Sequence, residues 1–420
     1  MIDPKIIKEN PNLVIENNKK RGIEIDLAMV QDLISKRANA ITYAENLRAQ
    51  ANEVASQIPK TPEADRKTLI EKGKELKEQV KKAEEGAEQQ EADLNRELRK
   101  FPNILREDVA MGEEESSNIV IRQEGKLPRF TFEPKDHLEL GEALGIIDMQ
   151  RAAKVSGARF VYLKGEAVLI EFALVQYMLS ILTAEGFVPV LPPHIISTQA
   201  MQAMGYLDHG GEDEVYHLKN DDQVLIGTSE QAIGPMLMDE IIEAKDLPLR
   251  FVAYSPCYRR EAGSYGKDVK GILRLHQFNK MEMFSFTTPE DSDTEHEFLL
   301  SMQERLMQGL KLPYQIVKLC SGDTGAPSAR TYDIETWIPS QDKYRETHST
   351  SNTTDFQTRR LKARFKLDGK TELLHALNGT AFADRIIIAI LENYQQADGS
   401  VIIPDILRPF IGKDKIEPKN

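Results

Sequence analysis

The sequence has few cysteines and no excess of basic residues. Cys257 and Cys320 are the only cysteines among 420 residues, so no disulfide framework and no cysteine zinc site are expected. The formal net charge of −13 at pH 7 argues against a general nucleic-acid coat protein. A local basic surface remains compatible with this charge, because salt screens charges that lie more than about 10 Å apart.

Signals for export or for a membrane are also lacking. The N-terminal segment MIDPKIIKENPN has no basic region followed by an apolar core, and no apolar run approaches the length of a membrane-spanning helix. These absences favour the reducing cytoplasm. The sequence is 40% hydrophobic and 29% charged, which is an ordinary globular composition, and its length predicts two domains.

Two long segments near the N-terminus have the periodicity of amphipathic helices. Residues 27–58 contain neither Gly nor Pro, and a second periodic run, 64–100, follows the break Pro59–Pro62. We therefore expect an antiparallel helical hairpin, a coiled coil, that projects into solvent. A protein–protein coiled coil and an arm for a long polyanion are both compatible with it. The basic residues that could contact phosphates are Lys36, Arg37, Arg48, Lys74, Lys77, Lys81 and Lys82.

The most informative segment, Phe251–Phe284, reads as two strands joined by a glycine-rich turn. Side chains alternate along a strand, so one face of the second strand carries Arg274, His276, Phe278, Lys280 and Glu282. Arg259 and Glu261 share a face of the first strand. Charges there are costly unless they are paired, and an aromatic ring beside arginines suits a nucleotide. A solvated sheet face with cross-strand ion pairs is the alternative.

Three further polar groups stand out. Thr228 and Glu230 would share a face of an extended segment and bind a small polar ligand, although a helix capping box also explains them. Glu346 and Ser349 are suited to a divalent ion, with a surface carboxylate and a turn serine as the alternative. Arg385, near a predicted helix N-terminus, opposes the helix dipole, which suggests that an anion binds there.

Together these segments resemble the motifs of the class II aminoacyl-tRNA synthetases. GFVPVLPP is similar to motif 1, YRREAGSYGKDVKGILRLHQFNKMEMF to motif 2, NGTAFADR to motif 3, and TSE to the Thr-x-Glu amino-acid-binding signature. The hairpin that precedes them narrows the resemblance to the bacterial-type seryl-tRNA synthetases. The resemblance implies an α+β fold: a tRNA-binding hairpin domain at residues 1–105, a linker at 106–136, and a catalytic antiparallel β-sheet domain flanked by helices at 137–420.

The resemblance also implies a serine–tRNA ligase. Such an enzyme forms seryl-adenylate and pyrophosphate from L-serine and ATP, and then transfers the seryl group to the 3′ end of tRNA(Ser). We expect tRNA(Sec) as a further substrate, Mg²⁺ but no zinc, and a cytoplasmic homodimer joined through motif 1 with no membrane association.

Individual roles follow by matching each motif position. The resemblance implies ATP binding by Arg259, Glu261, Arg274, Phe278, Glu346, Ser349 and Arg385. Of these, the four implied catalytic residues are Arg259, Glu261, Arg274 and Arg385, and the two implied metal ligands are Glu346 and Ser349. The implied serine pocket contains Thr228, Glu230, Arg259, Glu282, Asn378 and Thr380, with Glu282 accepting the serine hydroxyl. In the motif 2 loop, Lys267 and Lys270 would approach tRNA. One departure from the family pattern is Asp384, which stands where a small residue is usual.

Overall fold

The computed structural model describes residues 1–262 and 271–418 and divides into two compact units. The first unit is Ile2–Pro102, and the second is Asn103–Asn420 together with Met1. Lys267 and Lys270 lie outside the described residues.

The first unit is entirely helical. Its helices are α1 (Pro4–Glu9), α2 (Pro11–Lys20), α3 (Leu27–Gln57) and α4 (Glu63–Leu98). The Asp26 side chain caps α3 by accepting a hydrogen bond from the Met29 N–H at 3.0 Å. Helix α3 ends just before Pro59, because proline cannot donate the next helical hydrogen bond. At 1.5 Å per residue, the 31 residues of α3 and the 36 of α4 are about 46 and about 54 Å long.

Helices α3 and α4 form the antiparallel hairpin that the sequence predicts. A narrow apolar seam between them buries Leu47, Val54 and Leu76. Two ion pairs join the helices, Arg37 with Glu91 and Arg48 with Glu84. The partner number falls along α4 as the residue number rises along α3, which is the signature of antiparallel packing.

The second unit is built from short helices and many strands. Its helices are α5 (His137–Ala143), α6 (Met149–Ser156), α7 (Glu166–Ala184), α8 (Thr198–Met204), α9 (Glu230–Ile233), α10 (Ser292–Leu310), α11 (Phe356–Leu361), α12 (Arg385–Asn393) and α13 (Arg408–Ile411). Its strands are β1 (Ile119–Glu124), β2 (Ile147–Asp148), β3 (Tyr162–Leu163), β4 (Val188–Val190), β5 (Ile195–Ser197), β6 (Gln223–Leu225), β7 (Ile241–Glu243), β8 (Leu249–Tyr258), β9 (Gln277–Thr287), β10 (Tyr314–Lys318), β11 (Arg330–Ile338), β12 (Lys343–Thr354), β13 (Arg364–Leu367), β14 (Lys370–Leu373), β15 (His375–Ala383), β16 (Val401–Ile402) and β17 (Lys415–Ile416).

An eight-stranded sheet in the order β1-β10-β11-β12-β15-β9-β8-β4 organises this unit. Its neighbouring strands are antiparallel, except that edge strand β4 runs parallel to β8. The predicted α+β fold, with a helical hairpin ahead of an antiparallel sheet, is therefore confirmed. Residues 106–136, which we expected to be a linker, contribute strand β1 to the edge of this sheet.

The main core lies between the sheet and helices α7, α10 and α12. Met281 and Met283 of β9 pack into it, whereas Glu282 between them points the other way, as the predicted alternation requires. Helix α12 contributes an unbroken apolar run, Ile386–Leu391, to the same core. This packing fixes the strand and the helix that flank the pocket described below.

Helix α7 contradicts one expectation. By length and composition alone, Glu166–Ala184 is apolar enough to cross a membrane, so the statement that no such run exists was wrong. The buried side of this helix, which includes Ile170, Leu174 and Met178, packs into the main core. A core helix of a globular domain can be equally long and apolar, because it too must be apolar over much of its circumference.

Candidate active site

A cavity of about 790 Å³ opens on the sheet face opposite the main core. It is lined by twelve residues that the sequence singled out: Thr228, Glu230, Arg259, Glu261, Arg274, Phe278, Glu282, Glu346, Ser349, Asn378, Thr380 and Arg385. Central strands β8, β9, β12 and β15, with the starts of α9 and α12, carry or adjoin most of them. Residues far apart in sequence therefore meet because the sheet order places their strands side by side.

One half of the cavity combines arginines with an aromatic ring. The Arg259 guanidinium lies 5.2 Å from the centroid of the Phe278 ring, and its Nε donates to the Gly227 carbonyl at 3.1 Å. Arg274 forms an ion pair with Glu261. The Glu261 backbone has a φ of 52°, a left-handed conformation that costs about 1–3 kcal/mol in a residue with a side chain. Such strain just beyond the end of β8 is typical of a functional turn.

Arg385 begins helix α12 and points away from it. Its Nη1 donates to the Glu346 carboxylate at 2.9 Å and to the Glu346 carbonyl at 3.0 Å, and its Nε donates to the Leu273 carbonyl at 3.3 Å. The arginine at this helix N-terminus therefore has protein acceptors, which offset the unfavourable helix dipole. Its side chain is only 31% exposed, so the guanidinium is held at the cavity wall.

The other half of the cavity is small, polar and buried. Glu230 and Glu282 are 3% and 2% exposed, and Lys280 brings its Nζ to 2.6 Å from Glu282 Oε2. The same Nζ donates to Thr228 Oγ1 at 3.3 Å, and the Tyr206 hydroxyl donates to Glu230. Burial raises the pKa of Glu282 to about 7; Lys280 opposes this shift and Glu230 adds to it. The two carboxylates face one ammonium group, so this half of the cavity can bind a second cationic group.

The local structure at Thr228 differs from the sequence-based picture. Thr228 precedes helix α9, which begins at Glu230, so the two residues do not lie on an extended segment. Among the described residues, no side-chain hydrogen bond caps α9, so the capping-box alternative is not realised either. Both side chains instead line the cavity.

Sequence reasoning missed two residues of this pocket. Lys280 lies on the charged face of the predicted strand, so the side-chain alternation already placed it beside Glu282, but no role was assigned to it from the sequence. Tyr206 follows helix α8 and reaches Glu230 from a distant segment, and no sequence pattern connects the two.

Strand β12 carries the oxygens suited to a divalent cation. A β-bulge between Ile334 and Glu335 on β11 leaves Thr347 of β12 without a direct partner. Because the bulge adds one residue, Glu346 and Ser349 come to the same face despite a spacing of three. Asp333 lies opposite Ser349 in the ladder and is hydrogen-bonded to it.

The residues present at this place fit Mg²⁺. Asp333 Oδ1 is shielded from solvent and has no hydrogen-bond partner among the described residues. Burial, with the charge of Glu346 adding to it, raises the pKa of Asp333 well above its usual range. A bound cation would satisfy these oxygens, and Mg²⁺ needs only one or two protein oxygens besides its substrate ligands. Within residues 1–262 and 271–418, no group of three or more His, Cys, Asp or Glu is placed to hold a metal.

The hairpin cations divide into paired and unpaired residues. Ion pairs engage Lys36 with Asp32, Arg37 with Glu91, Arg48 with Glu84, and Lys81 with Glu85. In the part of the chain that the structure describes, Lys74, Lys77 and Lys82 form no ion pair. Lys74, Lys77 and Lys81 follow an i, i+3, i+7 spacing, which places them on one face of α4.

Comparisons with known proteins agree with this architecture. Residues 1–105 match the Seryl-tRNA synthetase N-terminal domain, and residues 215–394 match the tRNA synthetase class II core domain (G, H, P, S and T). A serine–tRNA ligase from Clavibacter michiganensis is 47% identical over 98% of this chain and 97% of its own length.

Solved structures match over the same extent. The seryl-tRNA synthetase of Pyrococcus horikoshii, complexed with ATP, superposes with a TM-score of 0.90 at 37% identity and covers 100% of both chains. The cytoplasmic serine–tRNA ligase of Naegleria fowleri, in complex with AMP, superposes with a TM-score of 0.85 at 28% identity, covering 100% of this chain and 99% of the other. This chain therefore belongs to the seryl-tRNA synthetase family of class II aminoacyl-tRNA synthetases, as its motifs indicated.

Proposed function

We propose that this chain is a serine–tRNA ligase that activates L-serine with ATP in the described cavity and transfers the seryl group to the 3′ end of tRNA(Ser). The observation that carries the proposal is the composition of one cavity. Its buried half offers Glu230 and Glu282 around Lys280, and its open half offers arginines beside Phe278. The first set suits a small amino acid, and the second suits a nucleotide.

The nucleotide is assigned to the arginine-rich half. Adenine stacks on Phe278 with Arg385 on its other side, and Glu261 contacts the adenine edge. Arg259 holds the α-phosphate, and Arg274 lies toward the phosphates. The short distance between Arg259 and Phe278 supports this arrangement, because only one ribose separates the base from the α-phosphate.

Serine is assigned to the buried half. Its ammonium group is held by Glu230 and Thr228, its carboxylate by Arg259, and its hydroxyl by Glu282. Asn378 and Thr380 on β15 complete the pocket. Alanine is rejected because it would leave buried polar groups without a partner.

Catalysis then consists of holding the reactants in line. The serine carboxylate attacks the α-phosphorus of ATP and expels pyrophosphate. A hydroxyl of the terminal ribose of tRNA then attacks the acyl carbon of the adenylate, takes the seryl group as an ester and releases AMP. Arg259 and Arg385 neutralise negative charge on the phosphates as the bonds change. Glu346 and Ser349 would hold Mg²⁺, with Asp333 behind Ser349, and the ion would supply further neutralisation of phosphate charge.

A second copy of the chain is proposed as a partner. The motif 1 region carries a cluster of exposed apolar side chains on α7 and around β4: Leu169, Phe172, Val188 and Leu191, with Phe172 52% and Leu191 84% exposed. Such clusters are typical of interfaces. Because β4 is an edge strand of the large sheet, a two-fold partner placed here would form a homodimer.

The hairpin is proposed to bind tRNA along its long extra arm, by backbone shape rather than by base sequence. Lys74, Lys77 and Lys82 are the best placed to contact phosphates, since they have no ion-pair partner in the described residues. Four other basic residues would first have to leave their carboxylate partners before they contact a phosphate: Lys36, Arg37, Arg48 and Lys81. Lys267 and Lys270 are assigned to the acceptor stem.

In this proposal, residues 1–105 bind tRNA and residues 137–420 carry out the chemistry. Residues 106–136 connect the two. A cytoplasmic location and a second substrate, tRNA(Sec), belong to the same proposal.

The decisive experiment is amino-acid-dependent ATP–pyrophosphate exchange without tRNA, across all common amino acids. We expect exchange with serine alone. Exchange with another amino acid would refute the serine pocket, and no exchange by the folded protein with Mg²⁺ would refute the enzymatic assignment. Charging of tRNA(Ser) and tRNA(Sec) transcripts then tests the two acceptors separately.

A further inference from the structure

A buried carboxyl group stands between the last residue of β15 and the first residue of α12. Asp384 is 5% exposed, and its Oδ2 accepts a hydrogen bond from the Asn279 backbone N–H at 3.0 Å. Ala383 pairs with Lys280 in the ladder between β15 and β9, so Asn279 faces the position just past the end of β15. The Asp384 side chain therefore supplies the acceptor that the next backbone carbonyl would have supplied.

The contact continues through Asn279 to two further elements. Asn279 Nδ2 donates to Glu171 Oε1 on α7 at 2.6 Å, and the Tyr254 hydroxyl on β8 donates to the same oxygen at 2.6 Å. This network, Asp384–Asn279–Glu171–Tyr254, links α12, β9, α7 and β8. Its members have no role in the proposed mechanism, yet Asn279 is adjacent in sequence to Phe278, and Asp384 to Arg385.

The two carboxyl groups of the network differ in their hydrogen bonds. Glu171 is buried and accepts two hydrogen bonds from side chains. Asp384 Oδ1 is shielded from solvent and has no partner in the described part of the chain. The nearest cations in sequence are already engaged, Arg385 with Glu346 and Lys280 with Glu282.

A second charge in this place would be costly, because neither carboxyl group forms an ion pair with a cation of residues 1–262 or 271–418. Burial, with the charge of Glu171 adding to it, raises the pKa of Asp384 to about 8. Asp384 is therefore mostly the neutral acid at pH 7.

We propose that Asp384 is a positioning residue for ATP: as the uncharged acid, it ties the strand that carries Phe278 to the helix that begins with Arg385. The inference rests on the proposed assignment of Phe278 and Arg385 to the two faces of adenine. Ionisation of Asp384 sets a second buried negative charge against Glu171, and this repulsion, with the loss of solvation, outweighs the stronger hydrogen bond that a carboxylate accepts from the Asn279 N–H. The strand and the helix are pushed apart, so the slot between Phe278 and Arg385 loses its spacing. The serine pocket is held by other contacts and is affected far less.

Three variants of the full-length enzyme test this. D384N keeps an oxygen acceptor for the Asn279 N–H and cannot ionise, D384A removes the acceptor, and E171Q removes the neighbouring charge. ATP–pyrophosphate exchange, measured from about pH 6.5 to about pH 9.5, gives the KM for ATP and the KM for serine separately. Thermal unfolding of each variant controls for loss of folded protein.

In the unmodified enzyme, the KM for ATP should rise about tenfold at alkaline pH with a midpoint near 8. The KM for serine also rises as the serine ammonium group loses its proton, but that rise should be the same in D384N. D384N should show a low KM for ATP at every pH. E171Q lacks the opposing charge, so its rise should be smaller and its midpoint should lie at lower pH. D384A should have a KM for ATP raised about tenfold throughout, because a backbone donor loses its acceptor.

An alkaline rise that persists unchanged in D384N would overturn the inference, as would its absence from the unmodified enzyme. An alkaline rise in the KM for serine that disappears in D384N together with the rise for ATP would also overturn it. Absence of all exchange in the unmodified enzyme would instead be a failure of the proposed function, so the two failures are distinguishable.

Discussion

Glu282 is the residue whose replacement tests the serine pocket most directly. It is 2% exposed, and one ammonium, Lys280 Nζ, lies 2.6 Å from its Oε2. A hydrogen bond to a charged group contributes about 1.5–3 kcal/mol, whereas one between neutral groups contributes about 1 kcal/mol. Glu282→Gln retains an acceptor and should lower kcat/KM for serine about tenfold, and Glu282→Ala should lower it about a hundredfold.

The same residue predicts the acid side of the pH profile. The pKa of Glu282, raised to about 7 by burial, implies that the carboxyl group is protonated below that pH and no longer accepts the serine hydroxyl as an anion. Since kcat/KM reports ionisations of the free enzyme, it should fall as the pH drops below about 7. Glu282→Gln cannot ionise, so this acid limb should disappear in that variant.

The assay is ATP–pyrophosphate exchange with serine, alanine and threonine, with the KM for ATP measured in parallel. Glu297→Gln is a matched control, because Glu297 is a carboxylate 56% exposed that accepts from the Tyr332 hydroxyl outside the cavity. Both Glu282 variants should leave the KM for ATP within about twofold of the control. Equal losses for serine and ATP, or an acid limb that survives in Glu282→Gln, would refute the assignment.

Three further changes test other parts of the proposal. Lys280→Met should raise the KM for serine about tenfold or more and move the acid limb to higher pH, because Glu282 loses its cation; pH-dependent exchange measures both effects. Removal of residues 28–100 should abolish tRNA charging while exchange persists, and charging by the shortened enzyme would contradict the tRNA-binding role of the hairpin. Leu191→Glu and Phe172→Glu should shift the protein from dimer to monomer in analytical ultracentrifugation, because each places a charge on the exposed apolar cluster; an unchanged dimer would exclude this interface.

Local periodicity was sufficient to predict the hairpin and the two-faced character of β9. Both depend on spacing within one segment, which is directly readable in a sequence. The alternation that puts Glu282 toward the cavity and Met281 and Met283 toward the core is a case in point. The assignment of ATP, serine and metal roles required the resemblance to a family, because spacing alone left a solvated sheet face as an equal alternative.

Contacts between distant segments could not be predicted in the same way. Tyr206 reaches Glu230 only because α8 packs beside α9, and Asp333 meets Ser349 only through the register of β11 with β12. The bulge that brings Glu346 and Ser349 to one face is a property of two paired strands rather than of either strand. Strand β1, within the expected linker, pairs with β10 almost two hundred residues later, and no local signal marks this pairing.

The buried carboxyl groups of the cavity make the free energy of unfolding depend on pH. The pKa values of Glu282 and Asp384 are raised by burial, from 4.5 to about 7 and from 3.8 to about 8. A carboxyl group with a raised pKa binds its proton more tightly in the folded state, so the stability it contributes is present at low pH and is lost as the pH rises through these windows. At neutral pH the ionised Glu282 therefore lowers the free energy of unfolding of the ligand-free enzyme. Serine restores part of what ionisation removes, because a ligand that binds only the folded state stabilises it. Its hydroxyl donates to the ionised Glu282, so the buried charge that weakens the fold is also what makes the pocket select serine over an amino acid without a hydroxyl.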